Sequence, residues 1–183
     1  MSEPAPERMS LAAFLEWDDG TDTRYELIDG RVVAMAPTLE AHGTIVGNLF
    51  AEFRNRLKPP CRAVVGAGVA PPDRADSFYV ADVAVTCAPP EAGLRIMAEP
   101  VLIVEVLSPT SVAHDRGLKL FDYRRIRSVR EILLVSAADR HVESWHRRGD
   151  RWEVQDLIGE AEIALEIGGP PLPLTAIYQS AAL

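Results

Sequence analysis

At 183 residues the chain is the length of one typical domain, and 48% apolar residues are enough to bury a core. The formal net charge of −8 excludes a protein that grips nucleic acid through bulk positive charge alone. It does not exclude a metal-dependent nuclease, whose carboxylates add negative charge that bound cations offset locally.

Residues 1–8 are rich in proline and glutamate and are expected to be disordered, leaving a single domain over 9–183. They hold no apolar stretch of the kind a signal peptide needs. No run in the chain approaches the roughly 18 apolar residues of a membrane span. The expectation is a cytoplasmic protein with no membrane partner. Ser10 then caps a short amphipathic helix, Leu11 to Trp17, which ends at Asp18-Asp19-Gly20. Two strand-like runs, Arg24 to Ile28 and Arg31 to Met35, flank Asp29-Gly30, a strong signal for a two-residue hairpin.

Thr38 to about Leu57 reads as the longest helix. Its apolar stripe is Ile45, Val46, Leu49, Phe50, Phe53 and Leu57. His42 lies three and four residues before that stripe begins, on its buried edge. Lys58-Pro59-Pro60 stops the helix. Cys61–Val65 and Ser77–Thr86 read as strands. Cys61 and Cys87 have no CxxC spacing and no neighbouring histidine, so they are expected as buried free thiols in a reducing cytoplasm.

Pro100 to Pro109 is a β-branched apolar run closed by proline at each end. Apolar residues fill both alternating positions, as in a strand buried between two layers. A helix is predicted from about Ser111 to Ile126, then a strand from Glu131 to Val135. His141 to Ile167 reads as a meander with a turn at Arg148-Gly149-Asp150. The tail after Gly168-Gly169-Pro170-Pro171 is expected to pack late. Strands and helices mix without strict alternation, which predicts an α/β or α+β fold: a mixed sheet flanked by helices, with an N-terminal hairpin and a C-terminal meander.

Two carboxylates interrupt strands that are otherwise free of charge: Asp82 and Glu105. An ionised carboxylate in such a strand is costly unless a cation or donor meets it. Consecutive strands are usually neighbours in space. The pair could therefore hold one divalent cation through hard oxygen ligands, and Mg²⁺, which accepts one or two carboxylates plus waters and phosphate, suits it. Lys119 follows on the next helix, spaced i,i+4 from both Asp115 and Tyr123. It reads either as half of a surface ion pair with Asp115 or as an ammonium beside the cation.

Taken together, Tyr25-Glu26-Leu27-Ile28-Asp29-Gly30, His42, Ala81-Asp82-Val83-Ala84-Val85, Glu105-Val106-Leu107-Ser108-Pro109 and Asp115-Arg116-Gly117-Leu118-Lys119 with Tyr123 resemble the Uma-two family of candidate restriction endonucleases. That family belongs to the PD-(D/E)XK nuclease superfamily, and the resemblance covers about Leu11 to Val135. It implies a restriction-endonuclease-like core with Asp82 and Glu105 as catalytic metal ligands for Mg²⁺ or Mn²⁺. The superfamily lysine falls on Leu107 here, and the resemblance implies that Lys119 replaces it. Glu26 and His42 match further recurring positions and are possible additional site residues. Three departures stand out: Ala81 where a proline usually precedes the aspartate, Ile132-Leu133 in place of a Tyr-Trp pair, and Ser136 where an aspartate usually ends the strand.

The expected function is a metal-dependent endonuclease that hydrolyses DNA phosphodiester bonds, with DNA as partner and a homodimer as the expected assembly. One alternative is a non-catalytic nucleic-acid-binding or assembly module that retains the fold; another is a hydrolase of some other phosphodiester. Arg124 and Arg125, in a basic run with Arg127 and Arg130, can either contact phosphates or complete the end of the Lys119 helix.

Overall fold

The computed structural model describes residues 8–108 and 115–183. Six strands form the central sheet: β3 (Arg62–Val69), β4 (Tyr79–Thr86), β5 (Pro100–Leu107), β6 (Glu131–Ser136), β7 (His141–Arg148) and β8 (Arg151–Ile158). Their order in the sheet is their order in the chain. Every neighbouring pair is antiparallel except β5 and β6, which run parallel. A parallel pair needs a crossover connection. The described part of that crossover is a π-helical turn, Asp115–Lys119, running straight into α3, Leu120–Tyr123. The expected helix from Ser111 falls partly outside the described residues, as do residues 1–7 of the expected disordered terminus.

Alternation along the strands fills both faces. Val83, Val85, Leu102, Val104, Val106, Leu133 and Val135 point one way. They are covered by α2 (Glu40–Arg56), through Ile45, Leu49 and Phe53, and by a C-terminal helix, α4 (Leu174–Ile177), through Leu174 and Ile177. Each such side chain, fully buried, contributes roughly 1.5–3 kcal/mol. The tail is thus part of the core: Asn48 of α2 donates to the carbonyls of Ile177 and Gln179. Ala84, Ile103, Leu107, Ile132 and Leu134 point the other way and pack on Leu120, Tyr123, Ile126 and Val129 of the crossover.

A smaller core joins α1 (Leu11–Glu16), capped by the Ser10 hydroxyl, to the hairpin of β1 (Tyr25–Ile28) and β2 (Arg31–Ala34). Asp29 and Gly30 both take positive φ, 50° and 77°, which is what a two-residue hairpin turn requires. The hairpin is anchored to the start of β4 by reciprocal backbone hydrogen bonds between Leu27 and Phe78. The remaining strands, β9 (Glu162–Ile163) and β10 (Leu172–Pro173), form a two-stranded ribbon.

Two expectations are corrected. Cys61 and Cys87 are not free thiols; they form a disulfide, and both are only half-buried. The reason lies in register. Arg62 pairs with Thr86 in the antiparallel β3–β4 ladder, so the next residue out on each strand faces the other. The first strand after α2 also does not stop at Val65. It continues to Val69 through Gly66, whose φ of 63° breaks the ladder locally without ending the strand.

Candidate active site

The β3–β4 ladder pairs Val65 with Val83 and Ala67 with Ala81 but skips Gly66 and Asp82, which lie opposite each other. On its other side, β4 stops pairing with β5 at Val83. Asp82 therefore sits where both ladders are interrupted. Its carboxylate fills the gap toward β5, accepting the backbone N–H of Val106 on Oδ2 at 2.7 Å. Glu105 alternates with Ile103 and Leu107 on the sheet face that meets the crossover, while Asp82, at the break in β4, reaches β5 through the Val106 N–H and α2 through His42.

Glu105 is 3% exposed. Burial pushes its carboxyl well above the usual range; Lys119 opposes that, while the charges of Asp82 and Asp115 add to it. The Tyr123 hydroxyl donates to its Oε1 at 2.5 Å. Burial and the adjacent Glu105 raise the Tyr123 phenol in turn, so it stays a donor. Tyr123 is held edge-on against Tyr79, with ring centroids 5.7 Å apart, and Tyr79 donates to the buried Asp122 of α3. The same carboxylate lies 3.5 Å from Arg74.

Lys119 is buried and points at this group. Its ammonium lies 2.8 Å from Glu26 Oε1, 3.1 Å from Asp115 Oδ1 and 3.6 Å from Glu105 Oε1. Burial alone would depress its pKa, but Glu105, Glu26 and Asp115 together hold it above the ordinary lysine value. It is thus a fixed cation rather than half of a surface ion pair. The π-helical turn that carries it is a geometry often found at functional sites, and here it sends Asp115 and Lys119 into the core together.

Glu26 is not an exposed hairpin residue. It is buried, and its Oε1 also accepts the Val80 N–H at 2.8 Å. His42, near the start of α2, places Nε2 3.2 Å from Asp82 Oδ2, and its buried Nδ1 has no partner among the described residues. Arg124 and Arg125 pair with none of these acids. Arg124 lies over the Trp145 ring, while Arg125 pairs with Asp73 and lies over Phe121. Neither completes the helix end; Arg147, reaching from β7, donates to the carbonyls of Arg124, Ile126 and Val129.

Three carboxylates, Glu26, Glu105 and Asp115, thus gather around one ammonium, and the charge of Asp82 reaches Glu105 from beyond them. The charge excess and the raised Glu105 fit an added cation, which would favour the ionised acid. Among the described residues no three acidic, histidine or cysteine side chains form a ready-made metal cage. Two oxygen donors completed by water and phosphate are what Mg²⁺ or Mn²⁺ accepts, so the donor set fits a hard ion better than zinc. Asp115 and Tyr123 belong to the group as well. Their i,i+4 spacing from Lys119 was the available signal in the sequence.

Two relatives from Synechocystis sp. (strain ATCC 27184 / PCC 6803 / Kazusa), both described as uncharacterized proteins, are each 27% identical to this chain. The first aligns over 99% of this chain and 96% of its own length, the second over 85% and 91%. The crystal structure of a "putative nuclease belonging to DUF820" from Anabaena variabilis ATCC 29413 shares the fold, with a TM-score of 0.73, 17% identity, and coverage of 93% of this chain and 97% of that one. The model of the Uma2 family, described as "Putative restriction endonuclease", matches residues 11–170, and the chain belongs to that family.

Proposed function

We propose that this protein is a divalent-metal-dependent endonuclease that hydrolyses DNA phosphodiester bonds at Asp82, Glu105 and Lys119. The observation that carries the proposal is the buried ammonium of Lys119 set among acids at the place where β4 parts from both its neighbours. A structural lysine needs one acid; three acids on one lysine, with Asp82 beyond them, leave negative charge to be met from outside.

Asp82 and Glu105 would hold Mg²⁺ or Mn²⁺. When bound, that ion supplies polarisation of the phosphodiester and a lowered pKa for its water. The chain's own residues do the rest. Val106 N–H and the Tyr123 hydroxyl fix the two carboxylates. Glu26, itself held by Val80 N–H, and Asp115 aim the Lys119 ammonium. That ammonium can stabilise charge developing on the phosphate oxygens. His42 Nε2, 3.2 Å from Asp82 Oδ2, can orient that carboxylate.

The test is cleavage of plasmid and single-stranded DNA with Mg²⁺ or Mn²⁺, with and without chelator. The expected result is cleavage that EDTA abolishes. Glu105→Gln should cut slower by on the order of 10²–10³-fold or more. It should fold at least as well as the parent in EDTA, because burial already disfavours the ionised acid there, and its stabilisation by Mn²⁺ should shrink. No metal-dependent cleavage of either substrate, or a large loss of stability for Glu105→Gln in EDTA with an unchanged metal response, would overturn the proposal.

A further inference from the structure

Between α1, the β1 strand and the β3–β4 ladder lies a cleft of about 310 Å³, at the lower end of the range for small-ligand sites. Phe14, Trp17, Tyr25 and Phe78 line it, together with Arg24 and Gly66. We infer that this cleft receives an unstacked nucleobase of the substrate strand, beside the phosphodiester held at Asp82 and Glu105. The inference rests on the nuclease reading above.

Proximity is the first argument. Gly66 in the cleft is the residue opposite Asp82. Tyr25 adjoins Glu26 on β1, and successive strand residues point to opposite sides, so one faces the cleft while the other holds Lys119. Val80 also lines the cleft while its N–H holds Glu26. The cleft and the acid cluster are therefore two sides of the same strand edges.

The second argument is a rigid aromatic corner. The Tyr25 hydroxyl donates to Asp19 Oδ2 at 2.5 Å, and its ring meets Trp17 edge-on with centroids 5.0 Å apart. Trp17 stacks on Phe14, with centroids 6.4 Å apart. Trp17 and Tyr25 are both half-buried and both line the cleft. Fixed aromatic faces are what single-stranded nucleic acid stacks on.

Charge decides which part of a nucleotide enters. Asp18 and Asp19 stand at the cleft, ordered by hydrogen bonds from Gly20 N–H and from the Thr21 N–H and hydroxyl. Two carboxylates repel a phosphate but can accept from the amino groups of bases. The cation sits apart from them. Arg24 is exposed, lies against Gly66, and has no carboxylate partner among the described residues. It is placed to meet the adjoining phosphate. Arg95, by contrast, is tied to the Leu15 carbonyl. A base stacked within a duplex cannot reach such a cleft, so the site favours single-stranded, frayed or flipped nucleotides.

The experiment uses Trp17 as its own reporter. Changing Trp145 and Trp152 to phenylalanine leaves Trp17 as the sole tryptophan. A mixed-sequence oligonucleotide, single-stranded or annealed, is titrated in EDTA and separately in Ca²⁺, following Trp17 emission and the anisotropy of labelled DNA. Single strands should quench Trp17 and duplex should not. Trp17→Ala should weaken single-strand binding about 5- to 100-fold, the range for one lost base–aromatic stack. Trp17→Phe should restore most of it. Should Trp17→Ala fail to fold, the quench and the loss of affinity in the exposed Arg24→Ala variant carry the test. Binding by anisotropy with unmoved Trp17 emission would overturn the base site, and metal-dependent cleavage surviving beside it would leave the nuclease reading standing. Quenching without any cleavage would keep the base site and remove the nuclease reading. No binding in either buffer would overturn the base site, and the cleavage assay alone would then decide the nuclease reading.

Discussion

The sheet buries ionisable groups on both faces, and the two faces handle them differently. On the crossover face, Glu26, Glu105 and Asp115 surround Lys119, and the strands part beside them at Asp82. On the opposite face, Glu131, Ser144 and His146 are buried beside Glu166 under intact ladders, and Glu131 pairs in register with His146. Among the described residues no lysine or arginine is buried there; Arg148, half exposed, reaches Glu166 from the outside. Burial pushes the Glu131 carboxyl up to about 8 and depresses His146. The Ser144 hydroxyl lies 2.8 Å from His146 Nε2, leaving Nδ1 facing Glu166 at 3.6 Å and Glu131 at 3.8 Å. Both groups can therefore stay neutral. Burial raises the buried acid on both faces; on the crossover face the Lys119 ammonium opposes that rise at Glu105, whereas no such cation faces Glu131 among the described residues. Only the first arrangement sets several acids around one fixed cation beside a break in the sheet.

The largest expected effect breaks the first face. Lys119→Met removes the only buried cation among three acids and should cost about 3–5 kcal/mol, as breaking a buried pair does. Thermal melts should show the loss at neutral pH and partial recovery at low pH, where the acids protonate. Cleavage should fall on the order of 10²–10³-fold even at temperatures where the variant is folded. A Lys119→Met protein as stable as the parent at neutral pH would show that the ammonium is not what holds this cluster together.

The second face should respond to pH rather than to metal. Glu131 binds its proton in the folded state up to about pH 8, but in the unfolded chain only to about 4.5. Stability from this group is therefore present below pH 4.5 and is lost as pH rises through 8, by at most about 1.4 kcal/mol per pH unit. His146 has the opposite sign. Its folded pKa lies below 6.5, so it costs stability as pH falls below that value. The clean window is pH 6.5–8, where Glu131 alone of the two changes. Denaturant melts across it should show a falling parent curve and a flatter one for Glu131→Gln; parallel curves would mean that Glu131 ionises normally. The smallest effect is Ser144→Ala, which removes one hydrogen bond to His146 and should cost about 1 kcal/mol while leaving cleavage unchanged.

Much of the crossover face was legible in the sequence, because a single acid in an apolar strand is visible locally. Asp82, Glu105 and the Asp29-Gly30 turn are of that kind. Lys119 was legible through its spacing from Asp115 and Tyr123. Glu26 was harder. Its burial depends on the hairpin folding onto Phe78, a contact across about fifty residues that leaves no local pattern. The second face was not read at all. Glu131 and His146 meet only through the β6–β7 register, and each sits in its strand as an ordinary polar residue. The disulfide was missed for the same reason: Cys61 and Cys87 are 26 residues apart and become neighbours only once β3 and β4 pair. Gly66, which reads as a strand end, is instead a turn of backbone inside a continuing strand.

The order of the sheet has a kinetic consequence. Because β3 to β8 lie side by side in chain order, each new strand needs only a short loop to close before it finds its partner. Hairpins can add one after another, a route that favours speed over the long searches of non-local topologies. The exception is the β5–β6 step, where the crossover must fold back before the parallel pair can form. Lys119 rides on that crossover. Until it docks, Glu26, Asp82 and Glu105 face one another without their cation. The last slow step of folding should therefore be the arrival of the crossover, and raised ionic strength should slow it by screening the attraction between Lys119 and the acids that wait for it.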